Sequence, residues 1–431
     1  MPNENSTPQS DSRRDFLRKS AAIGGAAAAG SLSLARSAHA AGDDTIKVGL
    51  IGCGGRGSGA AKNATKGDPN LKVTVLCDIF PDVLAQARQR LSRALGDRLE
   101  VTDDTCFTGF DGYKQVMETD IDAVLLCSPP HFRPAHLRAA IEADKHVFCE
   151  KPVAVDGPGC RHVFETVEMA RKKNLSIVSG LCWRYAPMVQ ETIAKIKEGA
   201  IGDLVAIHET YLTGTLWYRQ PKPDWTEMEN QVRNWTYYTW LAGDIINEQH
   251  IHSLDKALWL NDDAAPLSCE AVGGRQVRTE EKWGNVYDHF GVAYQFPNDV
   301  KTFSYCRQMA GCYNDVNDYV LGTNGTAAIL SGTVTPTKGE PWKYSGKGGN
   351  MYDLEHKALY EGMRSGNIIN NGIYMTRSTM MAIMGRMAAY TGNKITWEDA
   401  INSKEDLTPK AYEWGDIERP EVAMPGKTKF V

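Results

Sequence analysis

The chain has 431 residues, 42% hydrophobic and 23% charged, with a formal net charge of −5 at pH 7. Its length suggests two domains rather than a single core, and the composition is that of a soluble globular protein. No basic tract is present, so neither nucleic acid nor an anionic membrane surface is expected as a partner.

Near the N-terminus, SRRDFLRKS (12–20) sets Arg13 and Arg14 ahead of Phe16-Leu17, with Arg18 and Lys19 close behind. An Ala/Gly-rich apolar run, 21–35, follows and leads to Ala38-His39-Ala40, an A-x-A cleavage pattern. Residues 1–40 therefore read as a twin-arginine signal peptide cleaved after Ala40, which implies a periplasmic or otherwise exported protein. The competing reading is a disordered tail or an uncleaved anchor. Residues 1–40 hold five Lys/Arg and three Asp/Glu, or +2, so the mature chain carries about −7. No membrane span is expected after cleavage. Ten cysteines would suggest disulfides in an exported protein. However, Cys77, Cys127 and Cys149 end buried-strand patterns, and neither CxxC pairs nor metal-like Cys/His spacings occur, so free thiols and no metal are expected. Cys306–Cys312 is the one pairing left open.

From Ile46 short apolar runs alternate with helical stretches: IKVGLIG, LKVTVLCD (71–78), DAVLLCSPP, HVFCEKP and LSIVSG, with helices near 55–66, 81–95, 131–143 and 156–173. This alternation predicts a parallel, doubly wound sheet, a Rossmann-type α/β domain over 44–180. Gly52-Cys53-Gly54-Gly55-Arg56-Gly57 lies between the first strand and its helix, and Asp78 follows 21 positions after Gly57. That context marks a dinucleotide loop: Gly52, Gly54, Gly55 and Gly57 admit the pyrophosphate to a helix N-terminus, and Asp78 accepts from the adenosine ribose. The expected cofactor is NAD. NADP is not excluded, because Arg56 could face a 2′-phosphate.

Glu150-Lys151-Pro152 closes the strand starting at His146, at the strand end where such sheets bind ligands. Lys151 is thus either functional or an ordinary turn lysine. In AGDIINEQHIHSLDKALWL (242–260), a helix starting near Ile246 puts Glu248 and His252 on one face, with Asp255 three residues on. That is a general-base arrangement, or a capped helix with a core histidine. The segment 211–244 is dense in aromatics, Tyr211, Trp217, Tyr218, Trp225, Trp235, Tyr237, Tyr238 and Trp240. It reads as a carbohydrate-binding loop or as packing, with Arg219, Lys222 and Arg233 facing an acidic sugar or solvent. His131 and His136 face the cleft or cap a helix, and 345–356 is a lid or a linker.

The glycine loop, CSPPHFRPAHLRAAIEADKHVFCEKP and the later acid-x-x-x-His helix together resemble the Gfo/Idh/MocA superfamily (glucose–fructose oxidoreductase, inositol dehydrogenase, rhizopine catabolism) along essentially the whole mature chain. The resemblance implies a second, α+β domain over 181–431 with an open, mainly antiparallel sheet for substrate binding and oligomerisation, entered at Trp183-Arg184-Tyr185. It also implies that Lys151 and His252 are catalytic. Glu248 stands where the family carries an aspartate, and His250 replaces its usual glycine, so EQHIH departs from D-x-G-x-H. Ser128, Pro129, His131, Glu150 and Lys151 are expected to join the loop, Arg56 included, around the cofactor, while Arg184, Tyr185, Trp235 and His250 are expected to face substrate.

The activity implied is hydride transfer between a hydroxyl-bearing carbon of a sugar or glycoside and a tightly held nicotinamide, in a homo-oligomer. A cofactor carried out with the folded protein would reconcile export with dinucleotide binding. Two alternatives stand beside it. One is an NAD-dependent glycoside hydrolase or lyase acting through a transient keto-sugar, although its Thr-His-Gly stretch is absent where EQHIH stands. The other is a catalytically idle sugar-binding protein.

Overall fold

The computed structural model describes residues 44–431, so the export signal read at 1–40 lies outside the described residues. Strands β1 (Ile46–Ile51), β2 (Leu71–Asp78), β3 (Cys106–Thr108), β4 (Ala123–Leu126), β5 (His146–Cys149) and β6 (Ile177–Ser179) form a six-stranded sheet in the order β3-β2-β1-β4-β5-β6. Every pairing in it is parallel. Helices α1 (Gly55–Gly67), α2 (Pro81–Leu95), α3 (Gly112–Met117), α4 (Arg133–Glu142) and α5 (Gly157–Lys172) make the crossovers. Covering both faces explains the apolar run of β4 and that of β1, which only Lys47 interrupts. Chain order reverses between β1 and β4, which opens a crevice at their carboxyl ends.

After α6 (Pro187–Lys197) the chain builds a second sheet from β7 (Leu204–Thr213), β8 (Ser268–Gly274), β9 (His289–Gln295), β10 (Lys301–Gln308), β11 (Asp315–Gly322), β12 (Gly325–Ala328), β13 (Thr333–Pro336), β14 (Trp342–Lys343) and β15 (Ile395–Thr396). Their order is β14-β13-β12-β11-β7-β10-β9-β8-β15. The pairing is antiparallel except for β7 with β10, which run parallel at its middle. Between β7 and β8 lie α7 (Glu227–Arg233), α8 (Thr239–Ala242), α9 (Ile245–Glu248) and α10 (Ile251–Leu260). One face of this sheet exposes Val272, Phe303, Tyr305 and Leu321. The other packs on α10 and on α12 (Gly372–Thr391), which is apolar nearly all round and buried accordingly.

Helix α11 (Met351–Ser365) returns to the first sheet. Leu359, Tyr360 and Met363 share one cluster with Ile46, Val48 and Leu50, and Arg364 donates to Asp68 at 2.5 and 2.8 Å. Residues assigned by sequence to the second domain thus complete the core of the first. All ten cysteines fall in the described residues as free thiols, Cys306 buried and Cys312 exposed. Among the described residues no helix is long and apolar enough to cross a membrane.

Candidate active site

Gly52 follows β1 with φ at +91°, and a Cβ there would stand 2.5 Å from the Ser128 nitrogen. A Cβ on Gly57 would lie 1.8 Å from the Gly52 carbonyl oxygen, so both positions require glycine. At Gly54 and Gly55 a Cβ would meet nothing within 4 Å. The start of α1 therefore faces open space, a cradle suited to a pyrophosphate. Beside it, Asp78 accepts from the backbone N–H of Cys53 at 2.7 Å and of Phe80 at 3.0 Å. Burial nonetheless pushes its carboxyl upward from its ordinary value. Gly52, Gly54, Asp78, Ser128 and Pro129 line one cleft, partly open to solvent. The cradle and the carboxylate fit the diphosphate and ribose of a dinucleotide.

The aromatic segment also reaches this cleft. Phe80, Phe110, Tyr113 and Phe132 line it from the nucleotide domain, and Arg219, Val232, Arg233 and Trp235 from the second domain. Trp235, assigned by sequence to substrate, thus stands at the nucleotide cleft, because α7 folds back over the end of β2. Tyr237, Tyr238 and Trp240 are buried in packing. His136 lines the cleft with its Nδ1 3.1 Å from the Ser128 hydroxyl, and burial lowers its pKa to about 3. His131 is buried against Tyr412 and Trp240, its pKa brought down to about 4 by burial.

Arg56 corrects an expectation. Its guanidinium turns away from the ribose end to pair with Glu150, and with Glu355 at 3.1 Å, lying over the Phe148 and Tyr352 rings. Glu150 is likewise held in this pair. Burial and the neighbouring Glu150 charge raise the Glu355 carboxyl well above its usual range, against the pull of Arg56.

Lys151 leaves β5 just before a cis peptide to Pro152. Its ammonium donates to the Glu248 carbonyl and stands 3.6 Å from Glu248 Oε1. The expected single helix from Ile246 is instead two, α9 and α10, broken at Gln249-His250. Asp244 forces the early start: it sits at φ +73° and accepts from the Ile245 N–H at 2.5 Å. Glu248 thus ends one helix and His252 begins the next. His252 keeps Nδ1 buried without a hydrogen-bond partner. Burial, then the nearby Lys151 ammonium, depress its pKa well below that of an ordinary histidine.

Two residues assigned to substrate are internal. His250 is fully buried, its Nε2 on the Ser304 hydroxyl, and burial takes its pKa to about 3. A side chain there points into the β10 sheet face rather than the cleft. Arg184 pairs with Asp255 at 2.9 Å and Asp263 at 2.6 Å and stacks 3.8 Å above Tyr374, so its donors are already engaged. Tyr185 donates to Asn371 at 2.8 Å. Beneath the site lies a group that sequence reading missed. Lys256 donates to the His252 carbonyl at 2.6 Å and pairs with Asp318 at 3.0 Å. Glu209 faces Asp318 across the β7–β11 pairing, and burial raises both carboxyls.

Residues 46–180 match the profile described as "Oxidoreductase family, NAD-binding Rossmann fold", and residues 189–328 match the "GFO/IDH/MocA C-terminal domain". An inositol 2-dehydrogenase of Pseudomonas syringae pv. syringae (strain B728a) is 31% identical over 336 residues, 75% of this chain and 88% of that protein. The chain belongs to the GFO/IDH/MocA family of oxidoreductases. As a member it is an NAD(P)-dependent oxidoreductase, and the cofactor of its first domain is NAD. Its fold is shared with a levoglucosan dehydrogenase solved with NADH and levoglucosan (TM-score 0.65, 18% identity, 82% of this chain and 99% of that one). It is shared equally with an aldose-aldose oxidoreductase from Caulobacter crescentus complexed with glycerol (TM-score 0.65, 16% identity, 82% and 100%).

Proposed function

We propose that this protein is an exported oxidoreductase of sugars or glycosides that keeps its NAD(H) and works as a homo-oligomer. The observation that carries the chemistry is Lys151 held at Glu248 beside His252, past the end of β5. NAD, when bound, supplies the hydride acceptor. Gly52, Gly54, Gly55 and Gly57 hold its diphosphate and Asp78 its ribose. Asp78 also supports NAD over NADP, since a 2′-phosphate would meet a buried acid and Arg56 is engaged elsewhere. Lys151 donates to the carbinol oxygen and stabilises its developing negative charge. His252, neutral because its pKa is depressed, takes the hydroxyl proton at Nε2. Glu248 orients the lysine and the sugar.

Export rests on the twin arginines and the A-x-A pattern; the free cysteines fit a protein folded before translocation. Relatives named inositol 2-dehydrogenase, levoglucosan dehydrogenase and aldose-aldose oxidoreductase support polyol and sugar substrates. They give the elimination alternative no support. The test is to recover the protein exported by its own signal, without added nucleotide, denature it and identify what is released. Near-stoichiometric NAD or NADH is expected, with turnover on pairs of sugars and no soluble cofactor. An empty protein that micromolar NAD does not refill overturns the reading.

A further inference from the structure

The nucleotide cleft is flanked by two parts of the chain beyond the glycine loop and β2. One is a wall, α7 and the turn after it. Arg233 lies 3.9 Å from the Phe80 ring centroid and pairs with Asp82 at 2.8 Å. Phe80 and Asp82 follow directly on Asp78, so this wall stands at the adenosine end. The other is an outer layer, the segment 404–419, which does not itself line the cleft but backs the rings that do. The Trp414 ring lies 5.3 Å from Phe80, stacked, and 4.7 Å from Phe110. Tyr412 lies 5.6 Å from Phe110, and its hydroxyl meets His131 Nε2 at 2.7 Å.

This segment has no regular secondary structure, yet it is pinned along its length. The Leu407 N–H donates to Asp156 at 3.0 Å, the Gly415 carbonyl accepts from the Met228 N–H at 3.1 Å, and Arg419 pairs with Glu227 at 2.7 Å. Leu407 and Ile417 pack against a cluster that joins Phe80 to Met228, Val232 and Trp240. The segment thus ties the nucleotide domain to α7 across the adenosine end.

We propose that residues 404–419 are a clasp on the bound dinucleotide, with Trp414 and Tyr412 setting how slowly it leaves. For the adenosine to escape past Phe80, Phe110 and α7, those groups must part from Trp414 and from the backbone that pins them. The proposal rests on the retained-cofactor reading and gives it a physical cause.

The test uses the full-length protein reloaded with NADH, and follows loss of NADH fluorescence after a chase with excess NAD⁺. Trp414→Ala is expected to release NADH about tenfold faster than the native chain, in keeping with the loss of two ring contacts. Tyr412→Phe, which loses only the hydroxyl bond to His131, is expected to show a smaller rise. Tyr313→Ala, an exposed position in the loop between β10 and β11, should match the native rate. A Trp414→Ala rate within about twofold of native overturns the clasp. Should that variant not fold, amide exchange in the native protein decides. Slower exchange of 404–419 with NADH bound supports the clasp, and unchanged exchange overturns it. Nucleotide content of the freshly purified native protein tests retention separately: an empty native protein with a tenfold rate ratio after reloading sinks retention and keeps the clasp.

Discussion

Lys151 is held by both ends of Glu248: the backbone carbonyl accepts its hydrogen bond, and Oε1 stands 3.6 Å from the ammonium. A lysine so fixed is aimed before substrate arrives. Replacing it by methionine should lower kcat by roughly 10²–10³-fold, the usual effect of losing one donor to a developing oxyanion. Glu248→Gln leaves the carbonyl in place and should cost only about tenfold, an ordinary charged hydrogen bond. Steady-state kinetics on nucleotide-loaded protein checks both, and equal losses would contradict this division of labour.

His252 has its pKa depressed by burial and by Lys151. A base that must be neutral then stays active into mild acid. The acid limb of kcat/KM should therefore lie below pH 6.5, the ordinary histidine value. Lys151→Met removes one depressing charge and should move that limb upward. His252→Asn should abolish the limb together with most of the turnover.

Acid stability follows from three other histidines. His131, His136 and His250 are buried with pKa values of about 4, 3 and 3, against 6.5 when unfolded. Since the folded values are the lower ones, the unfolded chain takes up these protons first. Their contribution is complete above pH 6.5 and is lost as pH falls toward 4, by about 1.4 kcal/mol per pH unit for each histidine. Urea midpoints between pH 7 and 4.5 should fall accordingly, and His250→Asn should flatten the slope.

Lys256 is buried among two carboxyls and the His252 carbonyl. Lys256→Met strands Asp318 and should destabilise the fold by about 3–5 kcal/mol. Adding Asp318→Asn and Glu209→Gln should recover much of that loss in equilibrium unfolding, because no buried charge then lacks a partner.

Much of the first domain is legible in the residues. β1, the glycine loop and α1 follow from an apolar run, an obligatory Gly52 and Gly57, and an acid at the end of β2. The second sheet is harder. Its order depends on which strands share register, and placing β10 parallel to β7 needs partners about a hundred residues apart. The break at Gln249-His250 escaped because apolar spacing runs across it, and the early start at Ile245 because it depends on Asp244, held at positive φ and bonded to Tyr390 at 2.5 Å. Arg184 and His250 misled because matching a motif fixes a position along the chain, not the direction of a side chain. Tyr412 and Trp414 gave no signal, standing singly in a polar stretch without period.

Helix α11 carries a consequence for how the protein comes into being. Leu359, Tyr360 and Met363 fill the layer beside α1 over β5 and β6, yet they are made roughly two hundred residues after those strands. A ribosome must finish most of the second domain before the first can close. Until then the NAD-binding half offers an uncovered apolar face, and a fragment ending near residue 180 should aggregate where the whole chain folds.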